Sequence, residues 1–153
     1  MSQLLVNGRP VTFGTAGNYK DWAISGWSQD QDQTDITWMD GFTAGLEFMM
    51  QVPSTDLLMT ARLMPFEGGG SRQYVQIFLN GLFVEFWAPL AGEFREYSTI
   101  IRKSYFSKEA TNTLIFVAPH AISPAEAKLS LDQRRLSFAF MQLSLQDPTR
   151  RQR

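Results

Sequence analysis

The sequence contains no cysteine and only one histidine among its 153 residues. Without cysteine the chain cannot form a disulfide framework, a thiolate-bound metal site or a cysteine nucleophile. A Ser-His-Asp triad would have to use His120, which follows Pro119 and is accompanied by no G-x-S-x-G motif. Nothing in the sequence shows that Glu47, Glu85 and Glu93 supply two carboxylates to one cleft, as glycoside hydrolysis requires. We therefore interpret His120 as an ordinary loop histidine and expect no enzymatic activity.

The chain also lacks an excess of either charge and any long apolar run. Its 14 basic and 15 acidic residues leave a net charge of −1, which argues against nucleic acid as a partner. The apolar runs are far shorter than the ~20 residues of a membrane helix, so we expect no membrane insertion. Met1–Val6 is too short for the apolar part of a secretory signal. Together with the missing cysteine, this predicts a soluble, cytoplasmic protein.

The sequence is rich in aromatic residues, with 12 Phe, 4 Trp and 4 Tyr. Its length is typical of one domain, and no repeat, linker or low-complexity segment divides it. We predict a single domain over residues 1–147. Residues 148–153, with Arg150, Arg151 and Arg153, are expected to be a basic, disordered tail.

Short segments with a period of two residues, separated by turn signals, run through the chain. The clearest hairpin joins Tyr74–Leu79 to Leu82–Trp87, because Asn80-Gly81 supplies the positive φ angles of a type I′ turn. Leu136–Leu145 is apolar on both faces and is predicted to be a central strand. The remaining predicted strands are Ala44–Val52, Leu57–Met64, Phe94–Ile101, Thr113–Ala118, and a hairpin of Leu4–Val6 with Pro10–Phe13 across Asn7-Gly8.

This pattern predicts an all-β fold. About nine short strands at such spacing are typical of a single antiparallel β-sandwich of jelly-roll type. One or two short helical turns are expected, within Ser104–Ala110 and at Ser123-Pro124, where serine occupies a cap position before proline.

The four tryptophans are candidates for a binding surface, because an exposed indole offers a flat, electron-rich face to the C–H groups of a sugar ring. The alternative is a place in the core, where an indole buries a large area. We favour the core for Trp27 and Trp38. Trp22 and Trp87 are the better candidates for exposed ligand-binding residues.

Acidic and basic loop residues could complete such a surface by binding hydroxyl groups. Asp30, Asp40 and Arg134 are the candidates, although Arg134 also lies beside Asp132 and a structural ion pair is the favoured interpretation there. A second hypothesis concerns Asp30, Asp32 and Asp35, whose spacing would suit a structural calcium ion. Because the cluster lacks the glycine and distal glutamate of an EF-hand loop, we favour a solvated loop and expect no cofactor.

Several short motifs follow one another in a distinctive order. They are Gly26-Trp27-Ser28, Thr37-Trp38-Met39-Asp40-Gly41, Asn80-Gly81, Ser123-Pro124-Ala125-Glu126 and Asp132-Gln133-Arg134-Arg135-Leu136-Ser137-Phe138-Ala139-Phe140. This series resembles an uncharacterised bacterial β-sandwich domain that is appended to glycosyltransferases and polysaccharide-biosynthesis proteins. The resemblance spans residues 13–145. The chain departs from the family pattern after G-W-S, where Asp30-Gln31-Asp32 replaces a glutamate, and after S-P-A-E, where Ala127-Lys128 replaces Leu-Gly.

The resemblance implies a non-catalytic, lectin-like carbohydrate-binding module associated with bacterial polysaccharide or glycan assembly. Its expected partners are a glycan or polysaccharide and a glycosyltransferase or another assembly protein. This inference is an analogy of fold, and a fold does not determine a function. The alternative is a protein-interaction or scaffolding module, since Phe78, Phe83, Phe86 and Trp87 around one hairpin could leave an apolar patch exposed.

Overall fold

The computed structural model describes residues 5, 8–29, 33–68, 72–89 and 92–149. In this part of the chain ten strands and two single-turn 3-10 helices, Tyr19–Asp21 and Lys103–Tyr105, are present. The strands are β1 (Val11–Thr12), β2 (Ala23–Ser25), β3 (Thr37–Asp40), β4 (Thr43–Met49), β5 (Leu57–Pro65), β6 (Val75–Leu79), β7 (Leu82–Trp87), β8 (Arg95–Ile101), β9 (Thr111–Val117) and β10 (Leu136–Gln146).

The strands form two antiparallel sheets of five strands each. Sheet I has the order β1-β10-β5-β8, with β3 also paired to β10, and sheet II has the order β2-β4-β9-β6-β7. Every strand pair in the described part of the chain is antiparallel. The predicted all-β sandwich of jelly-roll type is therefore confirmed, as is the central position of β10 in its sheet. None of the helices in the described ranges has the length and apolar character needed to cross a bilayer.

The core lies between the two sheets and is rich in aromatic rings. Alternate residues of β5, β6 and β9 are buried, as a half-buried strand requires. The Trp27 ring lies 5.2 Å from that of Phe13 and 5.3 Å from that of Phe140, and its Nε1 donates a hydrogen bond of 2.9 Å to the Gly45 carbonyl. Trp27 is thus a core residue, as predicted, whereas Trp38 is half-buried against Phe66.

The β6–β7 hairpin has the predicted turn. Asn80 and Gly81 have φ angles of 52° and 80°, the positive values of a type I′ turn. The Asn80 side chain anchors the turn to β9, because its Oδ1 accepts from the Thr113 N–H and its Nδ2 donates to Asn112 Oδ1, both at 2.9 Å. The hairpin is therefore tied to its neighbouring strand as well as closed by its own turn.

The predicted hairpin across Asn7-Gly8 is wrong, although Leu4, Val6 and Asn7 themselves lie outside the described residues. The Leu5 N–H donates to the Met49 carbonyl of sheet II, whereas Val11 pairs with Leu143 of sheet I. The chain therefore crosses from one sheet to the other instead of folding back on itself. Both Leu5 and Val11 are buried there, and this burial outweighs the local turn preference of the dipeptide.

Of the two predicted single helical turns, one is present as a regular turn. The first is the 3-10 turn Lys103–Tyr105. At the second, the Ser123 Oγ accepts from the Glu126 N–H at 3.0 Å, which confirms the serine cap, but the following residues form only irregular turns. Of the predicted tail, Arg150, Arg151 and Arg153 lie outside the described residues.

Candidate functional site

Trp22 and Trp87 are buried, with 4% and 7% of their surface exposed. The Trp22 carbonyl accepts from the Glu47 N–H at 2.8 Å, which holds this segment against β4. The Trp87 ring lies 5.8 Å from that of Tyr97 on the other sheet. The expectation that these two indoles are exposed is therefore wrong, because both pack into the core instead of facing solvent.

Arg134 lies in a network that joins two distant segments of the chain. Its Nη2 donates to Asp132 Oδ2 at 2.6 Å, and its Nη1 donates to Ser28 Oγ at 2.8 Å. The hydrogen bonds that Arg134 donates to Asp132 lower the pKa of this carboxyl group. The favoured interpretation of a structural ion pair is consistent with this geometry.

Asp40 is exposed and lies close to the same segment. Its Oδ1 accepts from the Arg135 N–H at 3.0 Å, and Asp40 pairs with Leu136 at the start of β10. The structure thus brings Asp40 and Arg134 to one end of the sandwich. It places Trp22 beside β4 and Trp87 beside β8, so these four candidates do not form one cluster.

The acidic loop is described only in part. Asp30 and Asp32 lie outside the described residues, whereas Asp35 is exposed. Among the residues that are described, no group of three or more His, Asp or Glu side chains could hold a metal ion. The calcium hypothesis therefore stays a prediction.

A groove of about 490 Å³ lies on the outer face of sheet II, where β6 begins and β7 ends. This volume is within the range of roughly 300–1,000 Å³ that is usual for small-molecule sites. We call it the Phe86 groove. Its lining residues are Arg72, Tyr74, Gln76, Phe86, Ala88 and His120.

The register of β6 and β7 positions the floor of the Phe86 groove. Gln76 lies opposite Phe86, and both point outwards because the neighbouring pair, Val75 and Trp87, points into the core. Phe86 is 54% exposed, so a large part of its ring is available to a ligand. An exposed aromatic ring and an amide side chain thus lie next to each other on a rigid sheet.

His120 forms one wall of the groove. Its Nδ1 lies 2.9 Å from the Arg72 carbonyl oxygen, and its ring meets that of Tyr74 edge to face at 5.0 Å. Because a carbonyl oxygen can only accept, Nδ1 carries the proton in this bond. In the neutral imidazole, Nε2 is then a hydrogen-bond acceptor, which suits a ligand hydroxyl group.

Two hydrogen bonds hold the walls of the Phe86 groove together. Gln73 is only 3% exposed, and its Nε2 donates to the His120 carbonyl at 3.0 Å. The Arg72 guanidinium donates to the Ala88 carbonyl, which links the start of β6 to the end of β7. The groove is therefore built by contacts between three separate segments of the chain.

The chemistry of the Phe86 groove suits recognition. Its lining offers two aromatic rings, an amide, an imidazole and a guanidinium group, and none of the lining residues is a carboxylate. The sequence indicated Phe86 only as part of an apolar patch, and it indicated His120 only as a loop residue. The Asn80-Gly81 turn predicts that β6 and β7 pair, but it does not predict the bulge that turns Phe86 outwards, so no signal in the sequence identified the groove.

In three dimensions the chain is similar to carbohydrate-binding modules. A CBM36 domain of a multidomain xylanase from the hindgut metagenome of Trinervitermes trinervoides superposes with a TM-score of 0.54 at 10% identity, over 91% of this chain and 96% of that domain. The C-terminal CBM6 of a marine laminarinase from Zobellia galactanivorans has a TM-score of 0.53 at 7% identity, over 91% and 100%. A carbohydrate-binding module CBM36 in complex with calcium and xylotriose has a TM-score of 0.52 at 8% identity, over 90% and 98%.

At this level of identity the similarity shows the fold: a β-sandwich of the kind that carbohydrate-binding modules have. No family model matches the sequence, and no curated protein matches it.

Proposed function

We propose that this chain is a non-catalytic carbohydrate-binding domain and that its glycan binds in the Phe86 groove. The observation that carries the proposal is the exposed Phe86 ring beside Gln76 and His120. A sugar ring would place its C–H face on Phe86. Its hydroxyl groups would then reach the Gln76 amide and the His120 imidazole.

The energetics favour this arrangement over a purely polar site. Hydroxyl groups exchange hydrogen bonds with water for hydrogen bonds with the protein, so each such bond contributes only about 1 kcal/mol. Apolar contact adds roughly 25 cal/mol for each Å² that leaves water. A site that combines an aromatic face with polar groups at its edge therefore gains from both terms.

The absence of carboxylates from the lining supports binding without cleavage. Most glycosidases place two carboxyl groups on either side of the scissile bond. None of the described residues that line the Phe86 groove is Asp or Glu. A glycan in this groove would be held and not hydrolysed.

The similar structures support the class of ligand, since one is a domain of a xylanase and another holds xylotriose. The biological setting is a finer part of the proposal. The association with bacterial polysaccharide assembly, with a glycosyltransferase or other assembly protein as partner, depends on the motif order in the sequence. The cytoplasmic location likewise stays a prediction.

The test is calorimetric titration with a panel of bacterial polysaccharides and plant oligosaccharides. Phe86→Ala should weaken binding of the best ligand by about tenfold, because removing a ring contact of 1–2 kcal/mol changes affinity by that factor. Phe83→Ala is the matched control, since Phe83 lies on the same strand, is 48% exposed and does not line the groove. Equal weakening by both variants, or binding of no glycan at all, would refute the proposal.

The single histidine gives a second readout. The imidazole signals in an NMR spectrum come from His120 alone, because the chain has no other histidine. Addition of the best ligand should shift these signals in the wild type. Binding that leaves them unchanged would place the glycan elsewhere.

A second candidate function is protein interaction, and the outer face of sheet II favours it. Gly45 pairs with Ile115, Ile115 with Phe78, and Phe78 with Phe83, so one apolar row crosses four strands. Ile24 extends this row on β2, since its side chain lies over Gly45. Apolar patches of this kind often mark interfaces. Self-association measured by sedimentation, and abolished by Phe83→Ser, would support this function independently of glycan binding.

A further inference from the structure

We propose that the Phe86 groove selects an anionic glycan, with Arg72 as the residue that determines this specificity. The proposal rests on the proposed function, because it names the class of glycan for the same groove. The shared chemistry of such ligands is a carboxylate or sulfate group on the sugar ring. The observation behind the proposal is the charge of the lining residues, which include a guanidinium group and no carboxylate.

Arg72 is suited to this role by its position and its free donors. A guanidinium group has five N–H donors in a planar fork, and it is charged at every pH of interest. One donor of Arg72 is used by the Ala88 carbonyl, which fixes the group at the wall of the groove. No other hydrogen bond or ion pair of the Arg72 side chain is present among the described residues, so the remaining donors can meet an anion.

Glu85, on β7, and Glu93, in the connection from β7 to β8, form no ion pair with Arg72 among the described residues. Glu85 is next to Phe86, but it pairs with Ile77, so its side chain leaves β7 on the face opposite Phe86. Its Oε1 accepts from the Phe86 N–H at 3.0 Å. Glu93 is engaged by Arg95 through a hydrogen bond of 3.0 Å from Nε. The Phe86 groove therefore keeps an unopposed positive charge among its lining residues.

The hydrogen bonding of His120 is compatible with the same preference. Its Nδ1–H is already committed to the Arg72 carbonyl, which keeps Arg72 and His120 on the same wall. Nε2 accepts from a sugar hydroxyl when the ring is neutral and can donate to an anionic oxygen when the ring is protonated. Both states are compatible with an acidic sugar, so the charge of Arg72 sets the selectivity.

The test compares acidic oligosaccharides with neutral versions of the same sugars. Oligogalacturonides and oligoglucuronides are titrated beside their methyl esters, which keep the sugar and remove the charge. A sulfated galactan oligosaccharide and its desulfated form make the second arm and distinguish the two sources of negative charge. Wild-type protein should bind at least one acidic form roughly tenfold or more tightly than its neutral partner, as expected for a charge-assisted hydrogen bond.

Variants then assign the preference to one residue. Arg72→Gln should bind the acidic and neutral forms with equal affinity, because it removes the positive charge. Arg72→Lys should retain part of the preference, because lysine keeps the charge and loses the fork. The control is Arg62→Gln, on the outer face of sheet I, which should leave the preference unchanged. Thermal melting of each variant verifies that it is folded.

The outcomes separate this inference from the proposed function. Equal binding of the acidic and neutral forms by the wild type would overturn the anionic preference and leave carbohydrate binding intact. A preference that survives in Arg72→Gln would overturn the role of Arg72. Binding of no oligosaccharide in either arm or in the wider panel would overturn both proposals together.

Discussion

Gln76 lies directly opposite Phe86 in the β6–β7 pair because β7 contains one extra residue, Val84. Next to the turn, Leu79 pairs with Leu82 and Phe78 with Phe83, but Ile77 then pairs with Glu85, so Val84 has no partner. A regular ladder would place Phe86 opposite Val75 and therefore towards the core. The bulge therefore exchanges the faces on which the two aromatic side chains at the end of β7 lie: Trp87 enters the core and Phe86 faces solvent.

Deletion of Val84 should reverse this exchange. The regular register would turn the Trp87 indole outwards and Phe86 inwards, since a shift of one residue moves every side chain to the other face. We expect a loss of stability on the order of 3 kcal/mol, the usual cost of removing a large aromatic side chain from a core. Urea unfolding and tryptophan emission would measure the stability and the exposure of the indole.

The control for that deletion is Val84→Ala, which keeps the extra residue. It should change stability by less than about 1.5 kcal/mol and leave the emission spectrum unaltered. If the deletion were as mild as this substitution, the bulge would not be what orients Phe86.

Trp27→Phe tests the role of the central indole. Phenylalanine keeps most of the ring contacts but removes the Nε1–H donor, so the Gly45 carbonyl would lose its partner. The expected cost is about 2 kcal/mol in the free energy of unfolding, the range for an unsatisfied buried group. Trp38→Phe, at a half-buried site, should cost less than about 1 kcal/mol. Similar costs for the two variants in denaturant unfolding would contradict this account.

The ion pair of Asp132 and Arg134 predicts a dependence of stability on pH. The hydrogen bonds from Arg134 lower the folded-state pKa of Asp132 below its unfolded value. The pair therefore stabilises the fold fully above about pH 4, the usual range of a free aspartate, and this contribution is lost as the pH falls through the lower folded-state pKa.

Asp132→Asn should remove this dependence. The difference in unfolding free energy between wild type and variant should be about 1 kcal/mol or less at pH 6, as for a partly exposed ion pair, and should shrink towards pH 2. Chemical denaturation across this pH range measures it. A difference that grows on acidification would have the wrong sign.

Gln73 should act as a positioning residue for the Phe86 groove. Gln73→Met removes the hydrogen bond to the His120 carbonyl, while the buried Oε1, which has no partner among the described residues, is removed as well. We expect little change in melting temperature, because the lost bond is offset by the removal of an unsatisfied polar atom. Glycan affinity should fall severalfold, since His120 is no longer held in place.

A double-mutant cycle with His120→Ala distinguishes this role from a general loss of packing. If Gln73 acts through His120, the double variant should bind glycan no more weakly than His120→Ala alone. Fully additive losses in calorimetry would show that the two residues act separately.

Removal of calcium should not affect binding in the Phe86 groove. Its lining residues include no carboxylate, the ligand type that calcium prefers. Titrations in EDTA and in millimolar calcium should therefore give the same affinity. A loss of binding in EDTA would instead indicate a calcium-dependent site, for which Asp30, Asp32 and Asp35 are the predicted ligands.

Local patterns were enough to predict most strands of this protein. The alternation in β5, the apolar run of β10 and the Asn80-Gly81 turn each reflect rules that act within a few residues. The prediction of an N-terminal hairpin is wrong for the same reason. Asn7-Gly8 has the chemistry of a turn, but Leu5 and Val11 gain more stability from burial against different sheets. Local signals cannot report such distant partners.

The sequence by itself determined the class of fold, because side-chain periodicity and turn chemistry are properties of neighbouring residues. It also excluded a cysteine nucleophile and a disulfide, because cysteine is absent. Only the tertiary structure decided which aromatic residues face solvent, since one bulge buries Trp87 and exposes Phe86. It alone brought Arg72, Gln76 and His120 to one groove, because pairing between strands distant in sequence creates that proximity.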